Sequence, residues 1–231
     1  MKTVISKNDM SRFKKLIDRI YTEFFESIPD ESRHVRDCLS CLIDIHRIND
    51  PLQIPNTVIL GICKTDVGYE DDKLCSSIDI NLYLPNIINH CINEFGEKYL
   101  EKHFESILIH ELIHALRWTV KLINNYSLLY HELASGNNDI ISIMHDNDNI
   151  VIDEIESEAE FEKVEEQIVQ CLTLDYLIDK YGRNDEYVRN FAKCNVGYGY
   201  FKTLRRDIII EEHLLPTIDD MIEYCACIKK E

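Results

Sequence analysis

Glycine and proline are scarce in this chain of 231 residues, seven and five in all, and both are scattered. No Gly-, Pro- or Ser-rich stretch interrupts the chain, so nothing resembles a linker, and the sequence predicts a single domain over 1–231. No window of about eighteen apolar residues exists to span a bilayer. The first ten residues, MKTVISKNDM, lack the apolar core of a secretory leader, so a cytoplasmic protein is expected. Positive charge is short as well. Twenty-five Lys and Arg face 42 Asp and Glu, a net charge of −17. Such a field repels phosphate backbones and anionic lipid, which argues against nucleic-acid and membrane partners. What it attracts is a cation or a basic polypeptide. The nine cysteines are odd in number and irregularly spaced, which fits reduced thiols better than a disulfide framework. Cys38 and Cys41, and Cys225 and Cys227, sit in helical patterns and are read as small buried apolar residues.

Hydrophobic spacing divides the chain into mostly helical pieces. Phe13, Leu16, Ile17, Ile20 and Phe24, then Val35, Cys38, Leu42 and Ile45, recur at helical intervals and predict two helices separated by Pro29. From Asn56 the pattern changes. The run TVILGIC favours a strand, and after the polar segment DVGYEDDK the residues Ile78, Ile80, Leu82 and Leu84 alternate with their neighbours, giving a small sheet closed by Pro85. Helical patterns follow over about 98–123 and 155–181, with shorter pieces near 185–193, 201–212 and 218–229. The segment from Tyr126 to Asp153 reads as an unusually long connection. The fold class expected is α+β, mostly helical, with one small sheet in the N-terminal third.

The long central helix carries His110-Glu111-Leu112-Ile113-His114, an H-E-x-x-H arrangement. Four residues is just over one helical turn, so both imidazoles lie on one face and reach a single Zn²⁺ while Glu111 projects beside them as a general base. The flanks FESILIHELIHALRWTV are apolar around most of the helix, which predicts burial. Two histidines and a glutamate on a buried helix need partners, and a metal satisfies all three.

A third ligand is required. The extended H-E-x-x-H-x-x-G-x-x-H pattern is excluded, because Arg117 and Val120 stand where it needs Gly and His. Asp139 remains open but ranks low. The stronger route is a glutamate on a second helix, FEKVEEQIVQCLTLDYL. There Glu165 falls on the apolar face among Phe161, Val164, Ile168 and Cys171; Glu166, on the more polar side, is the alternative, with Glu158 and Glu160 behind. His131 opens a second H-E but has Ser135 where its partner histidine should be.

HELIHAL followed by EEQIVQCL resembles the zincin metallopeptidases of the gluzincin type. HELIHA is also similar to the motif of clostridial neurotoxin light chains, and size and layout resemble small cytosol-acting zinc protease effectors of pathogenic bacteria. The resemblance spans about 76–175 and is sharp only at the H-E-x-x-H. It implies a zincin-like domain with Zn²⁺ held by His110, His114 and Glu165 or Glu166, and with Glu111 as base. The strand Ser77–Leu84 would be the cleft-lining edge strand. An oxyanion donor from a C-terminal segment would be Tyr198, Tyr200 or Arg205, by residue type alone. The function expected is a zinc endopeptidase cleaving a cytosolic protein, with a basic substrate favoured by the acidic field, or in a host cytosol for a secreted effector. A second expectation keeps the zinc only as structural support for an interaction protein.

Overall fold

The computed structural model describes residues 5–28, 33–47, 58–71, 73–136 and 158–194. Among these residues, seven helices and three strands run in the order α1 (Lys7–Ser27), α2 (Arg33–Cys38), β1 (Leu42–His46), β2 (Gly61–Glu70), β3 (Lys73–Tyr83), α3 (Leu84–Glu94), α4 (Leu100–Asn124), α5 (Tyr126–Ala134), α6 (Glu158–Tyr181) and α7 (Glu186–Cys194), with a 3₁₀ turn at Glu97–Tyr99. The α+β class, mostly helical with one small sheet, is therefore observed. No helix among the described residues is long and apolar enough to cross a membrane.

Local chemistry accounts for most of the element ends. Ser6 and Asp9 form a reciprocal capping box that starts α1. Pro85 opens α3, where its missing N–H costs nothing. Gly136 and Gly182, with φ near +86°, follow α5 and α6 in the left-handed conformation that ends a helix. Asp185 caps α7 by accepting the backbone N–H groups of Tyr187 and Val188.

The sheet has the order β1-β3-β2, with β1 parallel and β2 antiparallel to β3. Ile78, Ile80 and Leu82 alternate inward from β3 and are buried, as the sequence pattern predicts. Three expectations are corrected. Leu42 and Ile45 do not continue a helix: α2 ends at Cys38 and Leu42–His46 is a strand, because a short apolar run fits either period and pairing with Asp79–Tyr83 decides it. The polar stretch DVGYEDDK is not a separator but the outer half of a hairpin, continuous to Glu70↔Lys73 around Asp71 at φ 49°. Finally, β3 is the central strand; the edge beside the main helix is β2.

Part of the expected connection is also helical. In α5, Leu129 and Leu133 at helical spacing are buried, while residues 137–157 lie outside the described residues. So do the pieces near 201–212 and 218–229.

At the centre is α4, with Phe104, Leu108, Ile109, Leu112, Ile113, Leu116 and Val120 all buried. The ring of Phe13 on α1 packs 4.7 Å from Phe104. Glu105, also buried, accepts the hydroxyls of Tyr176 (2.8 Å) and Tyr181 (2.7 Å) from α6 and pairs with Lys180 at 2.5 Å. That satisfied carboxylate ties α6 to α4 below the site. On either side of Glu105 in α4, His103 and Ser106 enter a largely buried polar ring closed by a consistent set of donors. His90 Nδ1–H donates to His103 Nε2 (3.0 Å), His103 Nδ1–H to Tyr187 Oη (3.1 Å), Tyr187 O–H to Ser106 Oγ (2.7 Å) and Ser106 O–H to the His103 carbonyl (2.8 Å).

Burial, helped by the neighbouring His90, pushes the His103 pKa down to about 3. The native state therefore keeps His103 neutral while the unfolded chain protonates it near pH 6.5. Its contribution is fully present above pH 6.5 and is lost progressively as pH falls toward 3, at about 1.4 kcal/mol per unit. Between pH 7 and pH 5 the wild type is expected to lose about 2 kcal/mol more stability than His103→Phe, read from urea midpoints. Equal losses in the two proteins would remove this role for His103.

Candidate metal centre

Two faces of α4 build the site. Glu111 and Trp118 look toward the sheet, whereas His110, His114 and Arg117 look toward α6, as their contacts show. The apolar majority of α4 holds both faces in register by burial, so the side chains that carry chemistry are placed by a helix that cannot rotate.

The Nε2 atoms of His110 and His114 stand 3.2 Å apart. Opposite them, the carboxylate of Glu166 places Oε2 3.3 Å from His110 Nε2 and Oε1 3.1 Å from His114 Nε2. One ligand atom from each of these three residues falls within a 4.8 Å group, a set that could hold a metal ion. The side chain of Glu166 is 51% exposed, so the group opens toward solvent on that side. Two imidazoles and one carboxylate are a sufficient protein donor set for a divalent metal with an open position.

The residues behind this group orient its members. His110 Nδ1 lies 2.9 Å from Gln170 Oε1; donating there leaves Nε2 as the bare nitrogen facing Glu166. His114 Nδ1 faces Glu165 Oε1 at 3.7 Å. Glu165 does not face the group. Its carboxylate is gripped in the fork of Arg117, Nε to Oε1 and Nη2 to Oε2. Of the two glutamates left open by the sequence, Glu166 thus joins the histidines and Glu165 stands behind His114. One helical residue is a rotation of about 100°, and the Arg117 charge captures the member of the pair that points inward.

Charges in the site favour cations. Burial alone would lower the His114 pKa, but hydrogen-bonding to Glu165 and Glu166 overrides it and lifts the value to about 10. Burial works against Glu165 too, and the Arg117 charge with the His114 contact holds its carboxyl well below the usual range. Glu166 is likewise lowered, against its burial, by His110 and His114. A proton on His114 occupies a position where metal binding would release it.

Glu111 is 6% exposed, and burial raises its pKa against the pull of the two histidines. Its carboxylate accepts the backbone N–H of Cys63 on β2. The approach of β2 is possible because residue 61 is glycine: a Cβ there would sit 2.6 Å from Glu111 Oε1 and 3.0 Å from its Cγ. Gly61→Ala is expected to cost about 1–3 kcal/mol by overpacking, measured by urea unfolding, with metal content unchanged because the atoms nearest that Cβ belong to Glu111 and not to His110, His114 or Glu166. A neutral result would mean that Glu111 has room to move.

Sequence reasoning missed four contributors. Arg117 enters the sequence pattern only as a departure from the extended motif, although its position three residues after His114 puts it on the same side of α4 as the two histidines. Gln170, four residues after Glu166, carries the corresponding signal on α6. Gly61 and the Cys63 N–H have none, since they act through a contact between distant segments. Tyr198, Tyr200, Arg205 and Asp139 lie outside the described residues. The chain matches no protein-family model, no curated protein and no solved structure.

Proposed function

We propose that this chain is a zinc-dependent endopeptidase that hydrolyses a peptide bond of a cytosolic protein. The observation that carries the reading is the convergence of His110, His114 and Glu166 on one point, with the buried carboxylate of Glu111 on the same helix, next to His110 and within electrostatic reach of both histidines. His110, His114 and Glu166 would hold the metal. Zinc in that position supplies a bound water of near-neutral pKa and polarisation of the scissile carbonyl.

The protein's own residues do the rest. Glu111, kept basic by burial and held against the Cys63 N–H, takes the proton from the attacking water. The same carboxyl then gives that proton to the amide nitrogen as the C–N bond breaks, and returns to its starting state. Gln170 and Glu165 keep His110 and His114 in the tautomer and orientation that face Glu166. Three carboxylates about the site, Glu111, Glu165 and Glu166, give it a field that favours a basic segment in the substrate.

Metal analysis of protein purified without added metal tests the reading. About one zinc per chain is expected, lost in His110→Ala and in Glu166→Gln. The wild type should cleave members of a basic peptide library, scored by mass spectrometry. Iron in place of zinc, or refusal of metal on reconstitution, would overturn the zinc assignment. Zinc retained with no cleavage would overturn the peptidase and leave the metal as a structural pin.

A further inference from the structure

A second polar feature lies on α1, and it does not depend on what the metal centre does. Between positions 7 and 19 five cations meet two carboxylates, in a chain whose net charge is −17. Asn8, Ser11, Arg12, Lys15 and Arg19 fall on one stripe of α1, at intervals of three and four residues, and line a groove of about 580 Å³ whose other wall includes Glu101 of α4. Phe13, Ile17 and Ile20 hold the opposite face of α1 in the core, so the stripe is fixed in place.

The cations of this groove are only loosely committed. Arg12 Nε and Nη2 reach Glu101 Oε1 at 3.0 and 2.6 Å, but both side chains are half-exposed, and such a pair contributes little in water. Arg19 stands 3.8 Å from Glu23 and 4.0 Å from Glu105. Lys15 is exposed and makes no ion pair among the described residues. From Asn8 to Arg19 the stripe is about 16 Å long. Its cations stand one helical turn apart, which matches carboxylates one turn apart on a helix or two residues apart on an extended chain.

We infer that this groove docks a short acidic segment of a partner protein. The −17 field repels a long polyanion such as nucleic acid or an anionic membrane. A few carboxylates inside the groove sense mainly the charges within a Debye length of about 8 Å. Guanidinium groups at Arg12 and Arg19 offer forks that suit carboxylates, and Asn8 and Ser11 add neutral hydrogen bonds. In the free protein, Glu101 takes the place of an incoming carboxylate.

The probe is a fluorescein-labelled hexaglutamate peptide titrated with the full chain and followed by anisotropy. Saturable binding that weakens with salt is expected. Glu101→Gln should bind several-fold tighter, a gain that misfolding cannot produce. Lys15→Glu should bind about tenfold more weakly, while Lys73→Glu, the same charge change on the β2–β3 hairpin, should stay within about twofold of wild type. Absence of saturable binding, equal losses in Lys15→Glu and Lys73→Glu, or no gain in Glu101→Gln would overturn the inference. Displacement of the peptide by pyrophosphate as readily as by unlabelled hexaglutamate would also overturn it, making the groove a small-anion site.

Discussion

Glu111→Gln is expected to keep the wild-type metal content while lowering the single-turnover rate of peptide hydrolysis by about 10²–10⁴-fold. The substitution is nearly isosteric. The amide oxygen of glutamine can still accept the Cys63 N–H, and a side chain of the same size still fits beneath Gly61. What disappears is basicity, and with it the route that the proposed reaction would use to carry a water proton to the leaving amine. Because the change also removes a buried negative charge whose pKa is raised by burial, stability should not fall. Glu111→Ala is a poorer test, since it would leave a cavity and an unpaired N–H. Hydrolysis by Glu111→Gln within a few-fold of wild type, at full metal occupancy, would take the base role away from Glu111.

The largest effect on stability should come from Arg117→Leu. Arg117 is 1% exposed and its fork holds Glu165. Removing the cation leaves a mostly buried carboxylate, 19% exposed, with His114 as its remaining neighbour, and breaking one side of a fully buried pair costs about 3–5 kcal/mol, the upper bound here. Glu165 would also be freed to turn away from His114 Nδ1, and loss of such a supporting contact weakens metal binding by about 10–100-fold. A second substitution separates the two effects. Arg117→Leu with Glu165→Leu removes both charges, so urea unfolding should show most of the stability restored while competition with a chelator still shows the weakened metal. Restoration of both would mean that Glu165 has no part in orienting His114. Stability left unrestored would mean that Arg117 supports the fold by packing and not by its pairing with Glu165.

These two sites differ in how far the amino-acid order exposes them. His110, Glu111 and His114 lie within one turn and a residue of a helix whose burial is written in its own flanks, so local spacing was enough to find them. The third member of the candidate metal group depends on the rotation of α6 about its axis. Apolar periodicity pointed Glu165 inward, which is where it is, but could not say that Arg117 would meet it there and leave Glu166 for the histidines. Gly61 is harder still. Its role is the lack of a Cβ opposite Glu111, and only the approach of β2 to α4 makes that lack useful. The same limit explains the sheet. Leu42 and Ile45 fit a helix, and Ile43 and Ile45 a strand, until β3 is placed beside them, and the polar outer half of the hairpin is held by backbone pairing that side-chain pattern does not record.

Glu166 is the one member of the candidate metal group that α4 does not supply, and fifty-two positions separate it from His114. A cation held among the three residues therefore closes a long loop of chain, and the entropy of that closure is set against its affinity. Metal supply would then act as a clock for the upper half of α6. When the ion is abundant, amide hydrogens there should exchange as slowly as those of α4. When it is withdrawn, they should exchange early, while the Glu105 tie keeps the lower half protected.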